Sequence, residues 1–327
     1  MGNRQLNILD KIKVKYNSAL PSSAWLIKGM PLLSTNRFVN LVYLKSKRKI
    51  GTDHSFLNNL SSDVTIDIFM PTLEKDSTML GNAIDYARKN IKHPISNIYI
   101  VGPSNSDKLK KIAKEKSCIF VDEKNILNID KKEINYFYNG FNKSGWIYKM
   151  LLNLNADKIC KQNNILVLDS DTLFIRPQTF IYKDKVLFNM SDEYHPPYYR
   201  ANKRIFGIKH NTSRSFITHY MLFDSRVLKK YRNYLESKWH KKWYRAIIDN
   251  LDKSTAMAFA DYESYADFFI VNNPRKYELN YWSNLSYEID SLNKLDKVIE
   301  YALSRGIYNS VSLHNFQKNP LKNKGVK

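Results

Sequence analysis

A chain of 327 residues, 43% hydrophobic with 22 Tyr and 16 Phe, can bury a large core and is too apolar for general disorder. Its 52 Lys and Arg against 31 Asp and Glu leave a net charge of +21, so its surface seeks anions: nucleic acid, nucleotide phosphates or an anionic membrane face. Two cysteines, Cys118 and Cys160, exclude a disulfide framework and a zinc-binding spacing, and no apolar run approaches the ~18 residues of a membrane span.

Residues 1–62 read as a basic N-terminal extension. Ten Lys and Arg between Arg4 and Lys49 face the single acid Asp10. With Trp25, Leu26 and Ile27 as apolar anchors, the segment either lies on an anionic membrane surface or packs on the back of the main domain. Residues 1–16 lack the apolar core expected of a signal peptide, and Leu6 breaks the myristoylation pattern. The expectation is a cytoplasmic protein, with peripheral contact at the inner membrane face open to it.

Order sharpens at Asp63. Residues 64–70 read as a first strand that stops at Pro71 and Thr72. Residues 77–92 carry Met79, Leu80, Ala83, Ile84, Ala87 and Ile91 at helical spacing. A second strand over 97–101 ends at Gly102 and Pro103, a basic helix covers 107–116, and a third strand covers 118–121. This alternation implies a parallel sheet with right-handed crossovers. Neither G-x-G-x-x-G nor a P-loop is present, so a dinucleotide or P-loop site is unsupported.

Residues 125–140 are polar and read as loops. Ser144 is placed as the N-cap of a helix that leads to NILVLDSDTLFIRP, residues 164–177. Its apolar run 165–168 has the composition of a central buried strand. A strand buried on both faces cannot leave two carboxylates unpaired, so it must emerge at Asp169. In open α/β sheets that carboxyl end is where ligands bind. Asp169 and Asp171, one residue apart, can share a hard divalent cation, Mg²⁺ or Mn²⁺, that also takes oxygens from a diphosphate. Further on, 192–200 reads as a loop rich in aromatics and prolines, and 215–224 as another strand. Helices are expected over 225–237, 240–251, 254–271 and 289–304, before a Lys-rich tail at 317–327.

These residues together resemble the GT-A-type glycosyltransferase superfamily, closest to a little-characterised bacterial branch. The resemblance runs over 63–316 and rests on Met70-Pro71-Thr72, Ser144-Gly145-Trp146, Leu168-Asp169-Ser170-Asp171-Thr172 and Asp261-Tyr262-Glu263-Ser264-Tyr265, in that order. It implies an α/β, Rossmann-type, mostly parallel central sheet flanked by helices, with a helical C-terminal acceptor side. The activity implied is metal-dependent transfer from a nucleotide-sugar donor, a UDP-sugar first, to a glycan or glycolipid in surface polysaccharide or lipopolysaccharide assembly. By the same resemblance Asp169 and Asp171 hold the metal, His314 completes its site, and Ser170 lies beside the diphosphate. Pro71, Thr72 and Glu74 then contact the nucleoside, and Trp146 and Lys149 flank the donor.

An inverting transfer also needs a carboxylate within reach of the acceptor hydroxyl. Asp261 and Glu263 are the candidates. Two apart on a helix, they point about 200° apart, so only one can face the site; Glu263 is the expected base, and a retaining enzyme would need neither. A nucleic-acid-binding protein and a sugar nucleotidyltransferase remain as rivals. The first has no recognised nucleic-acid motif, so no nucleic-acid partner is expected, and the second lacks a Gly-rich phosphate loop.

Overall fold

The computed structural model describes residues 60–191, 195–210, 215–288 and 292–314, without the side chains of 281, 288, 292 and 314. The basic extension up to residue 59, residues 192–194 of the predicted loop, and the Lys-rich tail lie outside the described residues.

The first strand, β1 (Ile66–Pro71), is followed by α1 (Leu80–Asn90), β2 (Ile95–Gly102), α2 (Asp107–Glu115) and β3 (Ile119–Asp122). Two single-turn helices, α3 (Glu123–Ile126) and α4 (Lys131–Ile134), and a two-residue ribbon, β4 (Phe137–Tyr138) with β5 (Phe141–Asn142), fill the stretch predicted as loop. Helix α5 (Ser144–Asn153) then leads to β6 (Asn164–Leu168), which pairs parallel to β1. Beyond it lie β7 (Thr172–Phe174), β8 (Ile181–Tyr182), β9 (Lys185–Met190), α6 (Pro196–Phe206) and β10 (Tyr220–Asp224). Three helices follow, α7 (Ser225–Trp239), α8 (Trp243–Ile248) and α9 (Asp261–Asn272), then β11 (Tyr277–Tyr281), β12 (Asn284–Glu288), α10 (Leu295–Ser304) and β13 (Ser310–His314).

The central sheet has the order β10-β6-β1-β2-β3, parallel except for β10. Strand alternation sorts its side chains into two cores. Ile66, Ile68, Met70, Leu166 and Leu168 face α1 and α2, where Leu80, Ile84 and Leu109 meet them. Phe69, Ile165, Val167 and Phe223 face the other way, onto α5, α7 and α9 through Ile147, Tyr231 and Tyr265. Burying each such side chain contributes about 1.5–3 kcal/mol. Asp67 also turns to this second side, at the amino end of β1, fully buried. It accepts from the backbone N–H groups of Asn97, Lys161 and Gln162 at 2.7–3.1 Å, which offsets its desolvation.

Two small sheets flank the main one, β11-β9-β8 and β12-β13-β7. The second encloses a third core, in which Leu173, Leu285 and Val311 pack on Val298 and Ile299 of α10.

Several local expectations are corrected. Ser144 is the first helical residue of α5 rather than its cap. Its Oγ accepts from Tyr136 N–H (3.0 Å), while its own N–H donates to Asn142 Oδ1 (2.9 Å). Part of the predicted 192–200 loop is the start of α6: Pro196 and Pro197 occupy its first turn, where a missing N–H costs nothing, and Gly207 at φ 73° ends it. Helix α9 starts at Asp261 rather than 254, because Asp252 Oδ1 holds Ser254 in a turn and Lys143 Nζ takes the Ala256 carbonyl (3.0 Å).

His93 links the sheet to the loop before β8. Its Nδ1–H donates to Val64 O (3.0 Å) and its Nε2 accepts from Phe180 N–H (2.9 Å), the pattern of a neutral imidazole. Burial lowers its pKa below 6.5, against the smaller raising effect of Val64 O. The neutral form is thus favoured in the fold, so this contribution to stability is complete above about pH 6.5 and declines as pH falls below it. Urea unfolding of the wild type and His93→Gln from about pH 7.5 to about pH 5.5 should show the wild type losing stability relative to the variant. A difference independent of pH would contradict the neutral assignment.

Candidate active site

At the carboxyl ends of β1, β6 and β3 a cleft of about 450 Å³ opens between the sheet, α5 and α9. One wall is the turn after β1. Pro71 and Thr72 line it, with Lys75 and Asp76 beyond. Thr72 N–H donates to Val101 O (2.8 Å) and its hydroxyl to Met70 O (3.2 Å), so the turn is fixed by its own strands. Gly102, next to Val101, allows this close approach: a Cβ there would stand 2.6 Å from Leu109 Cδ1 and 2.8 Å from Thr72 O. Glu74 is a correction. It does not line the cleft; its Oε2 accepts from Ser106 Oγ (2.6 Å) at the start of α2.

Asp169, Ser170 and Asp171 line the floor where β6 ends. Asp169 is held by three side chains. Lys149 Nζ on α5 lies 2.7 Å from its Oδ1, Tyr262 OH on α9 donates to the same oxygen at 3.4 Å, and His219 Nδ1 stands 3.5 Å from Oδ2. Burial opposes its charged form, yet the Lys149 ammonium and His219 hold its carboxyl well below the usual range. For Lys149 burial acts to lower the pKa, and the attraction of Asp169 outweighs it, so the net shift is upward. Asp76 shows the opposite balance: burial, then the nearby Asp171, raise its carboxyl, against the lowering effects of Lys75 and Lys149.

Asp261 and Tyr262 open α9 and line the cleft from above. Asp261 is 2% exposed, and its Oδ2 accepts from Asn153 Nδ2 of α5 (2.8 Å). Burial pushes its carboxyl up to about 7, against the lowering effects of Asn153 and Lys149. Glu263 is the second correction. It points to the other side of α9, as the 200° offset requires, and is absent from the cleft lining. Its Oε1 accepts from Phe216 N–H (2.7 Å), and its Oε2 lies 3.7 Å from His210 Nδ1. Of the two acids, the one facing the cleft is therefore Asp261.

Trp146 and Lys149 also line the cleft, with Trp146 6.4 Å from the Tyr198 ring of α6. For His314 only the backbone is described: it ends β13, where Leu313 N–H donates to Asp171 O (2.9 Å).

Sequence reasoning missed two groups. Glu123, just past β3, lines the cleft paired with Lys131 (2.6 Å); the rule that ligands bind at strand carboxyl ends would have flagged it. His219 sat inside a predicted strand, yet its φ is 65°. That left-handed turn is uncommon for a residue other than Gly. Here its carbonyl accepts from Asp169 N–H (3.0 Å) while its ring reaches the Asp169 carboxylate.

The model described as "Family of unknown function (DUF6492)" matches residues 79–298, well over half of the chain, and the chain belongs to that family. A search of curated proteins finds no match. Among solved structures the chain is similar to the galactosyltransferase LgtC in complex with donor and acceptor sugar analogues. The identity is 11% over 76% of this chain and 86% of that one, with a TM-score of 0.40. It is also similar to glucosyl-3-phosphoglycerate synthase from Mycobacterium tuberculosis in complex with Mn²⁺, uridine-diphosphate and phosphoglyceric acid. That identity is 10% over 89% and 88%, with a TM-score of 0.37.

The glycines give a direct check on the cleft wall. Gly102→Ala should lower the unfolding free energy by about 1–3 kcal/mol, because both contacts must give way. Gly145→Ala, at a cleft position with no heavy atom within 4 Å of the added Cβ, should leave it unchanged or slightly raised. Equal stabilities of the two variants in urea melts would show that the Thr72 turn is not packed as described.

Proposed function

We propose that this chain is a metal-dependent glycosyltransferase. It takes a sugar from a nucleotide-sugar donor, a UDP-sugar first, and places it on a glycan or glycolipid in surface polysaccharide assembly. The observation that carries the reading is the convergence of Asp169, Asp171, Lys149 and Asp261 in one cleft at the carboxyl ends of a parallel sheet.

The residues fit a divalent cation. Asp76 lines the same cleft as Asp169 and Asp171, and burial and Asp171 disfavour its charged form, so the cleft gathers negative charge that a bound cation would offset. Oxygen donors of this kind suit Mg²⁺ or Mn²⁺. Asp169 and Asp171 would hold it, and when bound it supplies Lewis acidity toward the leaving diphosphate. Lys149, its side chain 37% exposed, would share its charge between Asp169 and a phosphate oxygen. The Thr72 turn and the Glu123–Lys131 pair border the part of the cleft left for the nucleoside. Trp146 and Tyr198, which line the cleft, border the space left for a sugar.

The acceptor step falls to Asp261. The acceptor hydroxyl loses its proton to an Asp261 oxygen as its own oxygen bonds to the anomeric carbon, and the bond from that carbon to the donor phosphate oxygen breaks. Asn153 fixes the orientation of the base. A carboxyl raised by burial is a stronger proton acceptor than an ordinary one. Among the described residues no helix is long and apolar enough to cross a membrane. An anionic acceptor or membrane face suits the net charge of +21.

Release of the nucleoside phosphate from UDP-, GDP-, CMP- and dTDP-sugars with Mn²⁺ tests the reading. The Asp169→Ala/Asp171→Ala double variant should lose turnover by about 100-fold or more. Unchanged turnover would remove the metal assignment. Asp261→Asn should bind donor as the wild type does while transfer drops about 10²–10⁴-fold, and full transfer activity would reject Asp261 as base.

A further inference from the structure

Behind α9, away from the cleft, three donor side chains meet. His210, Glu263 and Asp267 are all buried, and one ligand atom from each lies within 4.8 Å of the other two. His210 Nδ1 is 3.0 Å from Asp267 Oδ1 and 3.7 Å from Glu263 Oε2. Donors about 2.0–2.2 Å from one tetrahedral ion stand about 3.3–3.6 Å apart, so these distances bracket the edge of a coordination shell.

The outer contacts support the same arrangement. Glu263 has one oxygen held from outside and the other turned inward; both Asp267 oxygens lie near His210 Nδ1, at 3.0 and 3.2 Å, and Oδ2 is also held from outside. Phe216 N–H holds Glu263 Oε1 (2.7 Å), and Asn202 Nδ2 holds Asp267 Oδ2 (2.8 Å). Tyr199 stacks on the His210 ring at 4.0 Å and 14°. Ligands oriented by such outer partners are the usual construction of a metal site. Glu263 Oε2, fully buried and aimed at the shared point, accepts no hydrogen bond among the described residues.

The charge count points the same way. Among the described residues neither carboxylate forms an ion pair with Lys or Arg. Two buried carboxylates facing one imidazolium leave an excess negative charge, whereas a neutral imidazole and a divalent cation leave none.

We infer that His210, Glu263 and Asp267 form a second, structural site for a divalent transition-metal ion of the zinc type, separate from the cleft. One imidazole nitrogen with two carboxylate oxygens suits such an ion better than Mg²⁺ or Ca²⁺. The site would tie α9 to the segment that places Ile217 and His219 in the cleft wall, and to α6, which carries Tyr198. It does not depend on the transferase reading.

Zinc content after loading with ZnCl₂ and dialysis against metal-free buffer tests it on the full chain. The wild type and the Asp169→Asn/Asp171→Asn variant should both keep one equivalent, and Glu263→Gln should bind at least about tenfold more weakly. A wild type that keeps no zinc, zinc lost in the cleft variant alone, or undiminished binding in Glu263→Gln would each overturn the inference. Should Glu263→Gln not fold, the wild type decides. A chelator should lower its thermal midpoint and Zn²⁺ should restore it; a midpoint indifferent to both would overturn the site.

Discussion

The contact of Lys149 with Asp169 sets the geometry of the cleft. Strand β6 lies inside the sheet with both faces covered, and its side chains from Ile165 to Leu168 are fully buried. A carboxylate at the end of such a strand persists in its charged form only if other groups supply the solvation that water no longer gives. Here a lysine from α5, a tyrosine from α9 and a histidine from the approach to β10 supply it. Three elements distant in sequence are thereby tied to one side chain. The same requirement explains the left-handed backbone at His219, which brings its carbonyl to the Asp169 N–H and its ring to the Asp169 carboxylate.

Helix α9 shows how one element can serve two sites. Its first nine residues, Asp261 to Phe269, are all buried, so it has no solvent face on which to place its acids. Asp261 meets Asn153 at the cleft, and Glu263 and Asp267 meet His210 behind it. An acid at each of these positions costs desolvation, and each has partners that offset part of it. The helix therefore couples the packing behind the cleft to the position of Asp261 within it.

Much of the sheet was legible because its residues obey local rules. The alternation along β1 and the continuous apolar run of β6 mark buried strands, and Pro71, Gly102 and Asp169 mark their ends. The cleft followed from those ends, and Pro71, Thr72, Trp146, Lys149, Asp169, Ser170, Asp171 and Asp261 all line it. The rest depended on partners that local pattern does not reveal. The face chosen by Glu263 was set by Phe216 N–H and His210, and the direction of Glu74 by Ser106. The small sheet of β7 with β13 joins Phe174 to Ser310, a pairing no short-range signal announces. The aromatic and proline content of 192–200 suited a loop, yet two prolines in a first turn equally suit a helix start.

The central claim is that the cleft binds a nucleoside diphosphate together with a divalent cation on the Asp169–Asp171 turn. Diffraction from crystals grown with UDP and Mn²⁺, recorded at the manganese absorption edge, tests this most directly. The account predicts an anomalous peak within coordination distance of Asp171, with the diphosphate beside it and near Lys149. A diphosphate bound elsewhere, or a cleft that takes up UDP with no manganese at Asp169 and Asp171, would contradict it.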